Sequence, residues 1–144
     1  MAGTLTAANS SITLTVLSVF PIPQQLQGYA TDDIFSVESV TPIETMMGVD
    51  GILSAGYTPA PKVMTIALQA DSDSNAIFEN WMAAQDVTKE AIQAMGVVTL
   101  PSIGRAYTCI RGFMTGYPPI ATGARILQPR RYTITWQSII AAPI

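Results

Sequence analysis

The segment 71–75 reads D-S-D-S-N, which matches the opening of a calcium-binding loop. Such a loop needs Gly at its sixth position and a bidentate Glu at its twelfth, where this chain has Ala76 and Met82. Asp and Ser oxygens also cap the first N–H groups of a helix, and the helix dipole favours carboxylates there. The segment is therefore interpreted as a helix start, and no metal ion is predicted.

The sequence contains no His, which removes the commonest general base and metal ligand. A Ser-His-Asp or Cys-His arrangement is therefore impossible within one chain. Asp32 and Asp33 are adjacent carboxylates, but neighbouring residues on a strand point to opposite faces and would not easily share a proton. They are interpreted as a solvated turn or an acidic surface. The chain has neither a Walker-type loop nor a G-x-G-x-x-G pattern.

Cys109 is the single cysteine, so the chain can form neither an intrachain disulfide nor a cysteine-rich zinc site. On a strand it alternates with Tyr107, Arg111 and Phe113, and we expect a half-buried thiol rather than a nucleophile. The sequence predicts no catalytic residue, no cofactor and no enzymatic activity.

Charged residues are scarce: they make up 12% of the 144 residues, against 49% hydrophobic residues. A typical soluble domain has about 25% charged residues, and a compact domain of this mass exposes on the order of 7,000 Å². A membrane explains this poorly, because Thr, Ser and Pro interrupt the apolar segment 12–23 and no basic residue of a secretion signal precedes Lys62. We therefore expect other protein subunits to cover part of the surface.

Charge is also segregated along the chain. Residues 1–90 hold all ten acids and both Lys, with a net charge of −8, while residues 91–144 hold five Arg and no acid, with a net charge of +5. Arg is suited to planar, bidentate pairing with carboxylates at interfaces. The partners of these arginines must come from the first 90 residues of the same or a neighbouring subunit. We expect at least two of the five to pair across a subunit boundary, with Arg111, Arg130 and Arg131 as the candidates.

The hydrophobic pattern predicts one mainly β domain with a single helix, an α+β fold over residues 1–144. The helix is expected to cover one face of a sheet and to run over 74–95, with Gly96 just beyond its end. The strands are predicted at 11–20 (ended by Pro21 and Pro23), 34–40, through 46–47, 52–57, 63–69, 97–100, 105–115 and 131–140.

A hairpin is predicted around Gly48-Val49-Asp50-Gly51, since Asp-Gly between apolar runs is a strong turn signal. Its apolar residues have an exposed pattern, and we expect the hairpin to reach a neighbouring subunit. The predicted interface residues here are Met46, Met47, Val49, Asp50, Gly51, Ile52 and Leu53.

The order of these features resembles the tail tube proteins of contractile-tailed bacteriophages. The resemblance runs from Gly28-Tyr29-Ala30 through the acidic pair at 32–33 and the G-x-D-G turn to Leu68, and continues into a β-rich C-terminal half. It implies a small β-sandwich or half-barrel flanked by one helix, with six copies forming a ring. Stacked rings would form a tube that conducts genomic DNA without binding it specifically.

The same resemblance implies tail sheath, baseplate and tail-terminator proteins as partners, and a virion tail protein made in the host bacterial cytoplasm. It places Asp32, Asp33, Glu38 and Glu44 on or near the lumen wall, where fixed negative charge would repel phosphates. Two alternatives stay open. One is another self-assembling protein, such as a secretion-tube, pilus-like or capsid-associated subunit. The other is a nucleic-acid-binding β-barrel that uses Arg105, Arg111, Tyr107 and Phe113, which the acidic total disfavours.

Overall fold

The computed structural model describes residues 10–17, 19–26, 29 and 34–143. This part of the chain is mainly β with one α-helix, and its sheets are antiparallel, as the sequence predicts. The strands are β1 (Ser11–Val16), β2 (Phe20–Gln25), β3 (Phe35–Val37), β4 (Ile43–Met47), β5 (Leu53–Tyr57), β6 (Lys62–Leu68), β7 (Ala94–Leu100), β8 (Arg105–Gly116) and β9 (Arg130–Pro143). The helix α1 is Asn75–Thr88, and a 3-10 turn spans Pro101–Ile103.

Seven strands form one sheet in the order β2-β1-β7-β8-β9-β6-β3, while β4 and β5 form a separate ribbon. The sheet is strongly curved, because Tyr29 contacts two strands that three others separate. Its backbone bridges to Leu68 of β6, and its hydroxyl accepts a hydrogen bond of 3.1 Å from the N–H of Ile12 in β1. The result has the half-barrel form that the tail tube resemblance implies.

The helix packs on the concave face of this sheet through Ile77, Phe78 and Trp81, all of which are buried. Phe78 stacks on Tyr132 of β9, with ring centroids 4.1 Å apart and planes inclined by 10°. The Nε1 of Trp81 donates to the carbonyl of Ile92, 3.1 Å away. These large aromatic contacts hold α1 against one end of the sheet.

The predicted helix over 74–95 is too long. α1 ends at Thr88, Lys89 closes it in the left-handed conformation with φ of 60°, and β7 begins at Ala94. The three- and four-residue spacing of Ile92 and Met95 is coincidental, because the following β-branched residues pair with β1 and β8. Gly96 is therefore not a helix-capping residue.

The helix start also differs in detail from the prediction. Ser74 at the N-cap makes no side-chain capping bond. The Asn75 amide instead holds the preceding turn by donating to the carbonyls of Gln69, Ala70 and Ser72. Its oxygen accepts from the Tyr132 hydroxyl at 2.9 Å, which ties the turn to the sheet.

The first predicted strand is also shorter than expected, because β1 ends at Val16 and the chain returns as β2. Pro21 and Pro23 do not end a strand but lie within β2. A strand at the edge of a sheet tolerates their missing N–H groups. The chain therefore turns after Val16, where the N–H of Val19 donates to the Val16 carbonyl at 3.3 Å.

A bulge in β8 interrupts the strict alternation of faces that the sequence predicts around Cys109. Arg111 has a φ of 52°, and the pairing of β7 with β8 shifts by one residue here. Cys109, Gly112 and Met114 are consequently all buried, whereas Phe113 no longer shares a face with Cys109. Gly112 has to be glycine, because a Cβ atom there would overlap the Trp136 ring.

Candidate assembly surfaces

The ribbon of β4 and β5, residues 43–57, is an arm that stands apart from the sheet. Its turn forms as predicted: the N–H of Gly48 donates to the carbonyl of Ile52 at 2.8 Å. Gly51 has a φ of 86°, which favours glycine, and Asp50 Oδ1 accepts from the N–H of Ile52 at 3.2 Å. Local hydrogen bonds therefore define the turn of the arm.

Every residue of β4 and β5 is exposed, although several are large and apolar. Met46 is 77% exposed, Met47 62% and Leu53 58%, and Val49 and Ile52 in the turn are exposed as well. An isolated two-stranded ribbon is marginally stable in water. The total exposed surface of 9177 Å² exceeds the roughly 7,000 Å² of a compact chain of this mass, and the arm contributes to the excess.

The pairing register gives the arm two different faces, since directly opposed residues lie on the same side. The apolar face carries three opposed pairs: Ile43 with Tyr57, Thr45 with Ala55, and Met47 with Leu53. The polar face carries Glu44 opposite Gly56 and Met46 opposite Ser54. The two neighbouring methionines therefore point to opposite sides, which the sequence alone did not distinguish.

A second apolar surface is a groove of about 360 Å³ on the concave face of the sheet, at the end that α1 leaves uncovered. Its lining is apolar except for Lys62 at the start of β6. The lining residues are Phe35, Val37, Lys62, Met64, Val98, Leu100, Tyr107 and Ile139. Sequence reasoning missed this groove, because its residues come from five strands that only the sheet order brings together.

Arg130 is buried within its own subunit. Its side chain is 6% exposed, and its Nη1 pairs with Glu79 of α1 at 2.6 Å. Nη2 donates to the carbonyl of Pro118 at 2.9 Å, and the guanidinium lies 5.4 Å from the centre of the Tyr132 ring. An acid from the first 90 residues is its partner, as expected, but that acid belongs to the same chain. The structure thus gives Arg130 an intrachain partner, and its pairing across a subunit boundary stays a prediction.

The other two arginines predicted at a boundary are exposed. The guanidinium of Arg111 lies 5.9 Å from the centre of the Phe113 ring, on the bulge that projects it outward. Arg131 lies on β9, on the opposite side of the strand from the buried Tyr132. Their pairing with a neighbouring subunit stays a prediction.

The four acids predicted for a lumen wall are only partly within the described residues. Asp32 and Asp33 lie outside them. Glu38 follows β3 and is exposed, and Glu44 is exposed on the polar face of the arm. Both carboxylates face solvent in the single chain, and their place relative to a lumen stays a prediction.

Cys109 is fully buried rather than half-buried, and burial raises the pKa of its thiol to about 11. Since the thiolate is the reactive form, this cysteine is inert near neutral pH. Within the described ranges, no group of three or more His, Cys, Asp or Glu side chains could hold a metal ion. In that same part of the chain, no helix is long and apolar enough to cross a membrane.

A family model described as tail fiber protein gp32 matches residues 3–140, and the chain belongs to this family. No curated protein matches the sequence.

Solved structures share the fold at 10% sequence identity. A chain of the anti-feeding prophage (AFP) tube-terminating cap has a TM-score of 0.64, covering 100% of this chain and 94% of that one. A chain of the AFP baseplate has a TM-score of 0.62 and coverages of 99% and 98%. A chain of the PVC extracellular contractile injection system, in its sheath-tube complex, has a TM-score of 0.54 and coverages of 92% and 88%.

Proposed function

We propose that this protein is a structural subunit of a phage-like contractile tail and that it assembles with copies of itself. The observation that carries the proposal is the arm, whose apolar face of Ile43, Met47, Leu53 and Tyr57 is exposed in the single chain. A large exposed apolar surface on a chain with 12% charged residues is suited to burial between subunits. Membership of a tail protein family and the shared fold of contractile injection system components support this assignment.

The finer proposal is a homohexameric ring that stacks into a tube around a DNA channel. A strongly curved antiparallel sheet is suited to joining other copies around an axis, because each copy can form one segment of a closed ring. If the apolar face of the arm packs on a neighbour, Glu44 on its polar face points away from that contact. A lumen-facing Glu44 is consistent with that geometry, and so is a wall that repels DNA.

The role we propose is not enzymatic. The sequence has no His, and burial raises the pKa of the Cys109 thiol to about 11, which leaves no activated nucleophile among these two residue types. Tail sheath, baseplate and terminator proteins are the proposed partners in the particle, and no specific DNA binding is proposed.

The family description names a tail fibre, which favours a second candidate function in a fibre or another tail part. The two functions differ in the particle they build: a tube subunit gives hollow rings or tubes, whereas a fibre component gives thin particles without a channel. Electron microscopy of the purified protein separates them.

Light scattering tests self-assembly with two variants at adjacent arm positions. Met47→Asp places a charge on the apolar face and is expected to leave the protein monomeric, because docking would bury an unpaired carboxylate. Met46→Asp on the polar face is the matched control and should still assemble. Circular dichroism should show both folded, since both side chains are exposed. A wild-type protein that is monomeric at high concentration would refute the proposal.

A further inference from the structure

We propose that the groove at the uncovered end of the sheet is the receptor for the arm of a second copy of this chain. This inference rests on the proposed self-assembly and names the surface that receives the arm. The groove is apolar, and so is the face of the arm that carries Met47 and Leu53. The face of the arm is exposed in the single chain, whereas the groove is lined mainly by half-buried side chains and by the exposed Val37. Docking of the arm would remove the remaining apolar surface of both from water.

The arm of the same chain is a poor occupant of this groove. The groove contains Val37 and Lys62, which lie just before and just after the arm in sequence, so the arm starts beside the groove. Each arm strand has five residues and extends about 17 Å from that start. The two strands lie in a separate sheet with every residue exposed, so the apolar face does not pack against its own chain.

The backbone beside the groove offers a second reason for a β-ribbon as occupant. β9 pairs with β6 only as far as Trp136, opposite Lys62, while residues 138–143 pair with β8 alone among the described strands. Their outer edge is therefore open next to Ile139, which lines the groove. An extended strand bound here could form backbone hydrogen bonds with this edge. Every second side chain of that strand could then pack in the apolar groove.

The charges of the groove and of the arm also favour the arm as the occupant. Lys62 is the one charged residue that lines the groove, and its Nζ donates to the carbonyls of Ala60 and Gln137 at the rim. The arm carries two acids, Glu44 and Asp50, and no basic residue. Glu44 lies on the polar face and points away from the groove, so Asp50 in the turn is the acid that would approach the cationic rim.

The arm and its receptor are different surfaces, so the contact is heterologous. Each copy then gives an arm to one neighbour and receives an arm from another. Such a contact closes into a ring if the rotation between copies allows it, and otherwise continues as a filament.

Cysteine cross-linking tests the inference, because the native Cys109 is buried and does not compete. Val37→Cys, at a groove residue that is 40% exposed, is combined with Met47→Cys on the apolar face of the arm. Mild oxidation of the assembled protein should convert the monomer band on a non-reducing gel into a ladder of covalent oligomers. A disulfide needs Cβ atoms about 3.5–4.5 Å apart, so the readout is local.

The matched control combines Val37→Cys with Met46→Cys, one residue away on the polar face, and should lose most of the ladder. If particles form but the two pairs cross-link equally or not at all, the groove is not the receptor, while self-assembly stands. A disulfide within one chain, seen as a faster-migrating monomer, would also overturn the inference. If neither wild type nor variants assemble, the proposed function fails together with it.

Discussion

At the scale of single residues, the buried Arg130 organises the contact between α1 and the sheet. It joins Glu79 on the helix to the carbonyl of Pro118 in the loop before β9, and it lies against the ring of Tyr132. Burying an ion is costly unless it is paired and hydrogen-bonded. The arrangement therefore depends on both ends of the pair, although Glu79 itself is 56% exposed.

Glu79→Gln is expected to lower the free energy of unfolding by about 1–2 kcal/mol, between the values for exposed and for buried pairs. Arg130→Met should cost more, because it also removes the donor to Pro118. Arg125→Met, at an exposed loop position, is the control and should change stability by less than about 0.5 kcal/mol. Urea denaturation measures all three, and equal effects of Arg130→Met and Arg125→Met would contradict the role of Arg130.

The Tyr132 hydroxyl predicts a pH dependence of stability. Burial raises its pKa from 10.0 to about 12, Arg130 opposes this rise, and Glu79 adds to it. The unfolded chain therefore releases the proton first, so this contribution to stability is complete below pH 10 and falls as the pH rises toward 12.

Tyr132→Phe should be less stable than wild type near pH 8, because the oxygen of Asn75 loses its donor, at a cost of roughly 1–3 kcal/mol. The difference in the free energy of unfolding should shrink above pH 10, since the variant has no phenol to ionise. Denaturation at several pH values from 8 to 11 measures it. A difference that stays constant over this range would contradict the raised pKa.

At the scale of elements, local signals predicted the arm well and the end of the helix poorly. The Asp-Gly turn and its flanking apolar residues define the hairpin within about fifteen residues, so sequence was sufficient. The boundary between α1 and β7 depends on long-range pairing of β7 with β1 and β8, which outweighs the helical spacing of Ile92 and Met95. The bulge at Arg111 also depends on long-range pairing, here between β7 and β8. Because of it, Phe113 lies on the opposite face of β8 from the one that the sequence predicted.

The arm is predicted to be dynamic before assembly and protected after it. Its strands pair only with each other, so their hydrogen bonds should open readily in a free subunit. Hydrogen exchange of the Met47→Asp subunit should be fast over residues 46–53 and slow over β8 and β9. Slow exchange of residues 46–53 in that unassembled subunit would contradict the claim that neighbouring subunits stabilise the arm.

At the scale of the whole molecule, scarce charge and an exposed apolar arm have one physical explanation. The composition predicted that partners cover the surface, and the structure locates two apolar surfaces that they would cover, the arm and the groove. The arm could be predicted from the sequence. The groove could not, because its residues are brought together only by the order of strands in the sheet. The segregated charge is partly satisfied within one chain, by Arg130 and Glu79.

The most direct test of the central claim is electron microscopy of the purified protein at several concentrations. The proposed function predicts hollow rings with sixfold symmetry in end-on views, together with stacks of such rings. Monodisperse single subunits at high concentration, or assemblies without a central channel, would contradict it.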